Sequence, residues 1–133
     1  MPINLPEKSF TIKVKGEVSE EEYAGVFKCR PALSHSLQLD KDRIRREYLG
    51  ERPAEASPRA QNAAEIFSTL AVHIISAPAW WMESRGGIDL LDDQVVANVY
   101  GEVTKKIAEF HKELKDRAEA AKKDLAKPEA SKE

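Results

Sequence analysis

Cysteine is nearly absent from this chain, in which Cys29 is the single example. One thiol excludes a disulfide within the chain and a zinc site built from cysteines, and it fits a reducing compartment. Long apolar runs are lacking as well. The first residues do not form the apolar core of a signal peptide, and no segment approaches the ~18 uninterrupted apolar residues of a membrane span. We therefore expect a cytoplasmic protein without a membrane partner.

An excess of either charge is also lacking. Lys and Arg number 21 against 23 for Asp and Glu, and the net charge of -2 gives no general attraction to nucleic acid or anionic lipid. At 133 residues, the chain is about the size of one domain and is long enough for a modest core. Its charged fraction of 33% exceeds the ~25% usual for globular domains, and part of that excess lies at the C-terminal end.

Signatures of catalysis and metal binding are missing from the sequence. His35, His73 and His111 are far apart and form no metal-ligand spacing, and we expect His73 on the polar face of its helix. Cys29 alternates in phase with Phe27 and is most simply a small core residue. We therefore expect no catalytic residue, no metal and no cofactor, in a protein that is not an enzyme.

An acidic group at Asp89, Asp92 and Asp93 could be taken for a calcium or magnesium cluster. However, the Asp-x-Asp-x-Asp-Gly pattern of a calcium loop is missing. Aspartate is favoured at a helix N-terminus, where it caps the first turn and faces the positive end of the dipole. We therefore expect these residues to cap a helix. The glycine pair at 86–87 likewise lacks the context of a phosphate-binding loop.

Two segments near the N-terminus alternate apolar and polar residues. This alternation predicts a half-buried strand from Phe10 to Lys15 and a second one from Tyr23 to Arg30. Pro31 cannot donate a hydrogen bond to a ladder, so it marks the end of the second strand. An antiparallel β-hairpin is the simplest arrangement of the two.

Helical patterns follow. After a connector over 33–39, we expect a short helix over 40–49 that Asp40 caps and Gly50 stops, and then an exposed linker. A second helix over 58–76 begins at Ser57-Pro58 and ends at Pro78. Its core-facing stripe consists of Ala63, Ile66, Phe67, Leu70, Ala71, Ile74 and Ile75.

The last helix, predicted over 92–120 from a start at Asp89 or Asp92, carries apolar residues that step by four and three, like a coiled-coil seam. This candidate oligomer seam consists of Val96, Tyr100, Val103, Ile107, Phe110 and Leu114. Residues 115–133 are charged and alanine-rich, which predicts a charged helical extension that frays into a disordered tail. The expected fold is α+β and mainly helical, a single domain over 1–114 with its hairpin packed on three helices.

Both tryptophans, Trp80 and Trp81, lie in one corner between two helical patterns, between Pro78 and the glycine pair. Neighbouring side chains in a non-helical corner point in different directions, so burying both in one core is harder than burying one. Tryptophan is enriched among interface hot spots. We therefore expect one of the two in the core and the other available to a partner.

A compact basic strip in the first predicted helix contains Lys41, Arg43, Arg45 and Arg46. Acidic residues are interleaved with it, and no aromatic stacking pattern accompanies it. Such a strip is more typical of a solvated face or a protein contact than of DNA recognition, which shows an uncompensated basic footprint.

Over about residues 23–114, the order of these features resembles the small tail-assembly proteins of long-tailed, siphovirus-like bacteriophages. The resemblance lies in RPALSH at 30–35, RREYLG at 45–50, APAWW at 77–81, GGIDLLD at 86–92 and the helix from 95 to 100. It implies a non-enzymatic chaperone of the host cytoplasm that binds tape-measure and tail-tube proteins during assembly. It also implies a largely helical protein that tends to oligomerise, and some members of the group make a longer frameshifted product.

Two alternatives to the chaperone remain open at this point. One is a structural protein that stays in the virion as a connector or minor tail component. The other is a small DNA-binding regulator that uses Arg43, Arg45 and Arg46. For the chaperone, the residues predicted to meet a partner are Trp80 and Trp81, together with the same three arginines of the basic strip.

Overall fold

The fold is α+β and mainly helical, as predicted. A computed structural model describes residues 6–131, without the side chains of Pro53 and residues 124–131. Three strands form one antiparallel sheet in the order β1-β2-β3. The elements are β1 (Lys8–Lys15), β2 (Glu22–Cys29), α1 (His35–Leu49), a short 3-10 turn (Pro53–Glu55), α2 (Pro58–His73), β3 (Ile74–Ser76), α3 (Ala79–Glu83) and α4 (Asp93–Ser131).

The predicted hairpin of β1 and β2 is confirmed. Phe10 lies opposite Phe27 in the ladder, and their rings stack with centroids 5.2 Å apart. Alternate residues point to the same face of a strand, so Ile12 and Cys29 join these two rings in the core. The opposite face is exposed: it is polar in β1 and carries Ala24 and Val26 between Glu22 and Lys28 in β2.

β3 is a correction, because residues 74–76 were predicted as the end of a helix. α2 ends at His73, and the chain then pairs with the free edge of β2, with Ile74 opposite Cys29. A hydrogen bond of 2.8 Å from the amide of Arg30 to the carbonyl of His73 holds the junction of α2 and β3 beside the end of β2. Two β-branched residues, Ile74 and Ile75, suit an extended backbone. Pro78 therefore does not end this helix.

α1 is longer than predicted, because its first turn starts within the expected connector. Ser34 caps the helix by accepting a hydrogen bond from the amide of Leu37 at 3.2 Å, so Asp40 lies inside the helix and is not its cap. Gly50 ends the helix as predicted, with φ at 83°. Ser57 also caps α2 as predicted, with Pro58 in its first turn.

The core lies between one face of the sheet and the helices α2, α3 and α4. Val95, Val99 and Val103 of α4 are completely buried, and Leu70 of α2 is nearly so. Burying a side chain of this kind stabilises the fold by ~1.5–3 kcal/mol. The stripe predicted for α2 is only partly right, since Ala71 and Ile75 are exposed.

α4 reaches beyond the predicted end at residue 120, because its backbone is helical as far as Ser131. The described side chains from Leu114 to Lys123 are all exposed. The charged helical extension that frays into a disordered tail was predicted for residues 115–133, and the backbone is helical over 115–131. The side chains from 124 onward and all of 132–133 lie outside the described residues, so that part stays a prediction. Among the described helices, none combines the length and the apolar character needed to cross a membrane.

Candidate functional site

The tryptophan corner is helical, which corrects the expectation of an irregular corner. Pro78 stands immediately before α3, and its carbonyl accepts the amide of Trp81 at 3.0 Å. Proline suits this position because its fixed φ matches the start of a helix and its missing N–H would be unpaired there anyway. Trp80 and Trp81 are therefore neighbours on one short helix, with their rings nearly perpendicular at 6.1 Å.

Trp81 is a core residue, with 2% of its surface exposed. Its ring meets the edge of Phe27 at 5.5 Å and lies directly against Gly87. A Cβ at position 87 would stand 2.7 Å from Cη2 of Trp81, and the φ of 93° at Gly87 also favours glycine. The second glycine of the pair therefore makes room for Trp81.

Trp80 is half-buried on the sheet. Its Nε1 donates a hydrogen bond to the carbonyl of Ala24 at 3.0 Å, and its ring packs edge-on against Tyr23 and Phe27. Trp80 thus links α3 to β2, and only part of its ring remains open to solvent. Trp81 belongs to the core, and Trp80 packs against it, so both tryptophans contribute to the stability of the fold.

The exposed apolar side chains nearby were not singled out from the sequence. Met82 follows the tryptophans and is 63% exposed. Ile75, Ile88 and Tyr48 are exposed too. Together with two residues on the outer face of α2, they form what we call the apolar band. Its members are Tyr48, Phe67, Ala71, Ile75, Met82 and Ile88.

Two grooves make the apolar band continuous. One, of about 300 Å³, runs past Ile75 and Met82, and the other, of about 360 Å³, runs past Tyr48 and Ile88. They share Ala71, Arg85 and Gly86 as lining residues. The small side chain of Ala71 thus lies where the two grooves meet.

The charge of Arg85 within these grooves is neutralised. Arg85 makes two hydrogen bonds to the carboxylate of Asp89, at 2.7 and 2.8 Å, and these bonds hold the pKa of Asp89 below its usual range. The rings of Tyr48 and Phe67 stack with their centroids 5.9 Å apart, and this contact joins α1 to α2. Besides Arg85, the residues that line the two grooves include one further charged side chain, Glu47, which lies within ion-pair distance of Arg43.

The basic strip is largely paired with carboxylates. Lys41 and Arg45 both contact Glu65, at 2.8 and 3.6 Å, and Arg43 lies within ion-pair distance of Asp40 and Glu47. Among the described side chains, Arg46 has no carboxylate partner, and its Nε donates to a backbone carbonyl instead.

The strip also faces a different side of α1 from the apolar band. Arg45 and Arg46 line a shallow depression with Leu39 and Asp42, whereas the band meets α1 at Ile44 and Tyr48. The depression at Arg45 and Arg46 also shares no lining residue with the groove at Trp81, so these two groups of predicted partner residues do not line one site.

α4 begins immediately after Asp92, as predicted, but the side chain of Asp92 does not cap the helix. Its buried carboxylate accepts hydrogen bonds from the amide of Val18 at 2.7 Å and the hydroxyl of Ser19 at 2.6 Å. Weaker bonds come from the Ser19 amide and the Tyr23 hydroxyl. These bonds, the one from the Ser19 side chain above all, lower the pKa of Asp92. Asp92 thus ties the start of α4 to the β1–β2 turn.

The carboxylates of Asp89, Asp92 and Asp93 are not arranged to bind one cation together. Asp89 pairs with Arg85, Asp92 faces the β1–β2 turn, and Asp93 lies in the first turn of α4. Within the described part of the chain, no three His, Cys, Asp or Glu residues are placed to hold a metal ion.

His73 is buried, which corrects its expected place on a polar face. Its Nδ1 lies 2.6 Å from the carbonyl of Arg30, so Nδ1 carries the proton and donates it. Burial lowers the pKa of His73, and the charges of Lys41 and Arg30 act in the same direction. Cys29 is buried in the core as predicted, and burial raises the pKa of its thiol.

The residues of the predicted oligomer seam differ in burial along α4. Val96 and Val103 are buried in the chain's own core, and Tyr100 and Ile107 pack against that core. Phe110 is half-buried, whereas Leu114 is exposed. The early part of the seam is therefore covered by this chain itself.

Comparison with family models, curated proteins and solved structures found no match for this chain. The fold and the surface define its class by themselves: a helix-rich α+β domain with a continuous apolar band on its outer face.

Proposed function

We propose that this protein is a non-enzymatic assembly chaperone that binds a tail protein of a long-tailed bacteriophage through the apolar band. The observation that carries the proposal is the exposure of Met82, Ile75, Ile88 and Tyr48 around one pair of joined grooves. A contiguous exposed apolar surface marks an interaction site far more often than scattered apolar residues do. The phage assignment rests on the sequence resemblance over 23–114.

The partner chemistry that fits this surface is the apolar face of an amphipathic helix. Phe67 and Ala71 lie one turn apart on α2, and Ile75 follows in β3; these three residues form the ridge of the apolar band, against which the apolar face of a partner helix packs. Ala71 leaves a dip in the middle of the ridge, where a large side chain of the partner fits. The paired Arg85 and Asp89 border the ridge without leaving a net charge.

A binding experiment with matched variants tests the proposal. The probes are the purified tape-measure and tail-tube proteins encoded by the same genome, titrated calorimetrically. We expect Met82→Glu to weaken binding of one probe by about tenfold or more, because a buried carboxylate lacks a partner there. Val26→Glu is the control, since Val26 is 62% exposed on the outer face of β2. The proposal fails if neither probe binds the natural protein, or if both variants bind equally well.

Mass spectrometry of purified particles separates a chaperone from a retained virion protein. A chaperone of the host cytoplasm is absent from the particle or strongly depleted, whereas a connector or minor tail component is present in fixed amount.

Neither alternative to the chaperone has a specific structural observation in its favour. For DNA binding, the ion pairs of Arg43 and Arg45 reduce the charge that phosphates would meet. Failure to shift duplex DNA at low salt would remove that alternative.

A further inference from the structure

β1 forms one edge of the sheet. In the strand order β1-β2-β3, it pairs with β2 alone. Within residues 6–131, no turn or helix adds a backbone hydrogen bond to β1. An edge strand of eight residues presents a row of unpaired N–H and C=O groups, which is a template for a further strand.

The register of the hairpin shows which backbone groups face this open edge. The amide of Gly16 donates to the carbonyl of Glu21 at 2.8 Å, and this pair closes the hairpin. Hydrogen-bonded and non-hydrogen-bonded pairs alternate along an antiparallel ladder, so Val14, Ile12 and Phe10 direct their N–H and C=O groups to β2. The residues between them direct these groups to the open edge. They are Ser9, Thr11, Lys13 and Lys15.

The same four residues carry the exposed side chains of β1, on the outer face of the sheet. Lys13 lies 3.6 Å from the carboxylate of Glu22, but both side chains are more than half exposed, so this ion pair is weak. Among the described side chains, no carboxylate lies within ion-pair distance of Lys15. Positive charge therefore stands beside the unpaired backbone groups of the open edge.

These lysines select the kind of strand that the edge accepts. Pairing with β1 of a second copy would gather four lysines on one face, and like charges on neighbouring strands destabilise the pairing. A strand with acidic side chains on the outer face places carboxylates opposite the lysines instead. On the inner face, Val14 is only half-buried, so an apolar side chain of the added strand has surface left to cover.

We propose that the open edge of β1 binds an extended segment of a partner protein, in which acidic residues alternate with apolar ones. Backbone hydrogen bonds attach the segment as an additional strand, and its side chains give selectivity. The acidic side chains lie beside Lys13 and Lys15, and the apolar ones extend the core face next to Val14. β1 contributes no residue to the apolar band, so this inference is independent of the proposed function.

A designed peptide tests the proposal. The probe is a blocked peptide as long as β1, eight residues, that alternates glutamate and valine. It is titrated with the full chain by fluorescence anisotropy. The control peptide has the same composition, but its glutamates form one block. We expect the alternating peptide to bind about tenfold more tightly, because only alternation places all carboxylates on the face of the lysines. Equal affinities, or no binding of the alternating peptide, would overturn the proposal.

Protein variants separate strand addition from general charge attraction. Lys13→Glu combined with Lys15→Glu should weaken binding of the alternating peptide by about tenfold or more. Lys122→Glu combined with Lys123→Glu, at exposed positions of α4, changes the net charge equally and should leave binding unchanged.

A backbone variant tests the hydrogen bonds of the added strand. Thr11→Pro removes an N–H that faces the open edge and takes no part in the ladder with β2, so the fold should be retained, as circular dichroism would show. Binding of the alternating peptide should be lost. The proposal is overturned if the two charge variants bind the peptide alike, or if folded Thr11→Pro binds it as the natural protein does.

Discussion

Asp92 joins two parts of the molecule that are far apart along the chain. It stands next to the first residue of α4, yet its carboxylate accepts hydrogen bonds from Val18 and Ser19 in the β1–β2 turn. Gly16 in the same turn has no side chain, and a Cβ there would overlap this carboxylate. The local pattern predicted a helix cap. The true acceptor role depends on a turn in another part of the sequence, so no local rule could predict it.

Asp92→Asn should lower the melting temperature clearly, because an amide is a weaker acceptor than a carboxylate and places an NH₂ group against backbone donors. Asp93→Asn, at an exposed position in the first turn of α4, is the control and should have little effect. The folded-state pKa of Asp92 is lowered. Its contribution is therefore complete above the ordinary aspartate pKa of about 3.9 and is lost as pH falls through the folded value. Equal melting temperatures for the two variants would contradict this role.

His73 gives a second, separate pH effect. In the unfolded chain it takes up a proton below about pH 6.5, whereas burial keeps the folded imidazole neutral to a lower pH. The unfolded state then binds more protons, so stability is complete above about pH 6.5 and falls as pH drops through that value toward the folded pKa.

The test compares urea unfolding at neutral pH with unfolding below pH 6. His73→Asn retains a donor where Nδ1 meets the Arg30 carbonyl but does not titrate, so its loss of stability on acidification should be smaller than that of the natural protein. His111→Asn is the control, because His111 is exposed. An unchanged pH dependence in His73→Asn would argue against the buried neutral histidine.

At the scale of elements, the alternation of strands and some of the end signals were reliable, whereas the cap at Asp40, the stop at Pro78 and the long-range pairing were not. β1, β2, the Gly50 stop and the Ser57 cap follow from local chemistry and were predicted. β3 was missed because Ile74 and Ile75 also fit a helical stripe, and only the open edge of β2 decides for a strand. The tertiary contact overrides the local pattern.

The glycine pair after α3 allows a sharp test of packing. Gly86 and Gly87 both have positive φ, but a Cβ at 86 meets no atom within 4 Å, whereas one at 87 meets the ring of Trp81. Gly86→Ala should cost ~1 kcal/mol of unfolding free energy from backbone strain alone. Gly87→Ala should cost ~2–4 kcal/mol, since overpacking adds to that strain. Equal losses of unfolding free energy in the two variants, measured by denaturant unfolding, would contradict a steric clash between a Cβ at position 87 and the ring of Trp81.

The far end of α4 should be dispensable for folding. The described side chains beyond Leu114 are exposed as far as Lys123, and Glu113 makes the contact to β1. Removing residues 115–133 should therefore change the melting temperature by less than about 2 °C, the size of a surface effect. The control is Val99→Ala, which opens a cavity in the core and should lower the melting temperature much more than the truncation does. A truncated protein as unstable as that variant would place the domain boundary later in α4.

At the scale of the whole molecule, one face of the sheet supports the core, and the apolar band runs over the surface from α1 across α2 and β3 to α3 and the segment that follows it. The sequence predicted a partner contact at Trp80 and Trp81, whereas the exposed apolar residues of that region are Met82, Ile75 and Ile88. Whether a large apolar side chain is buried depends on which element covers it. Trp80 is covered by its contact with β2, whereas nothing in the described chain covers Met82.

The most direct test of the proposed function is a hydrogen-exchange footprint of the complex with the tape-measure or tail-tube protein that binds. The account predicts added protection over 67–75, from α2 into β3, and over 82–88, from the end of α3 onward, because these two ranges contain most of the apolar band. Met82→Glu should remove this footprint, and Val26→Glu should leave it in place. Protection confined to the basic strip of α1, or no binding of either tail protein, would contradict the account.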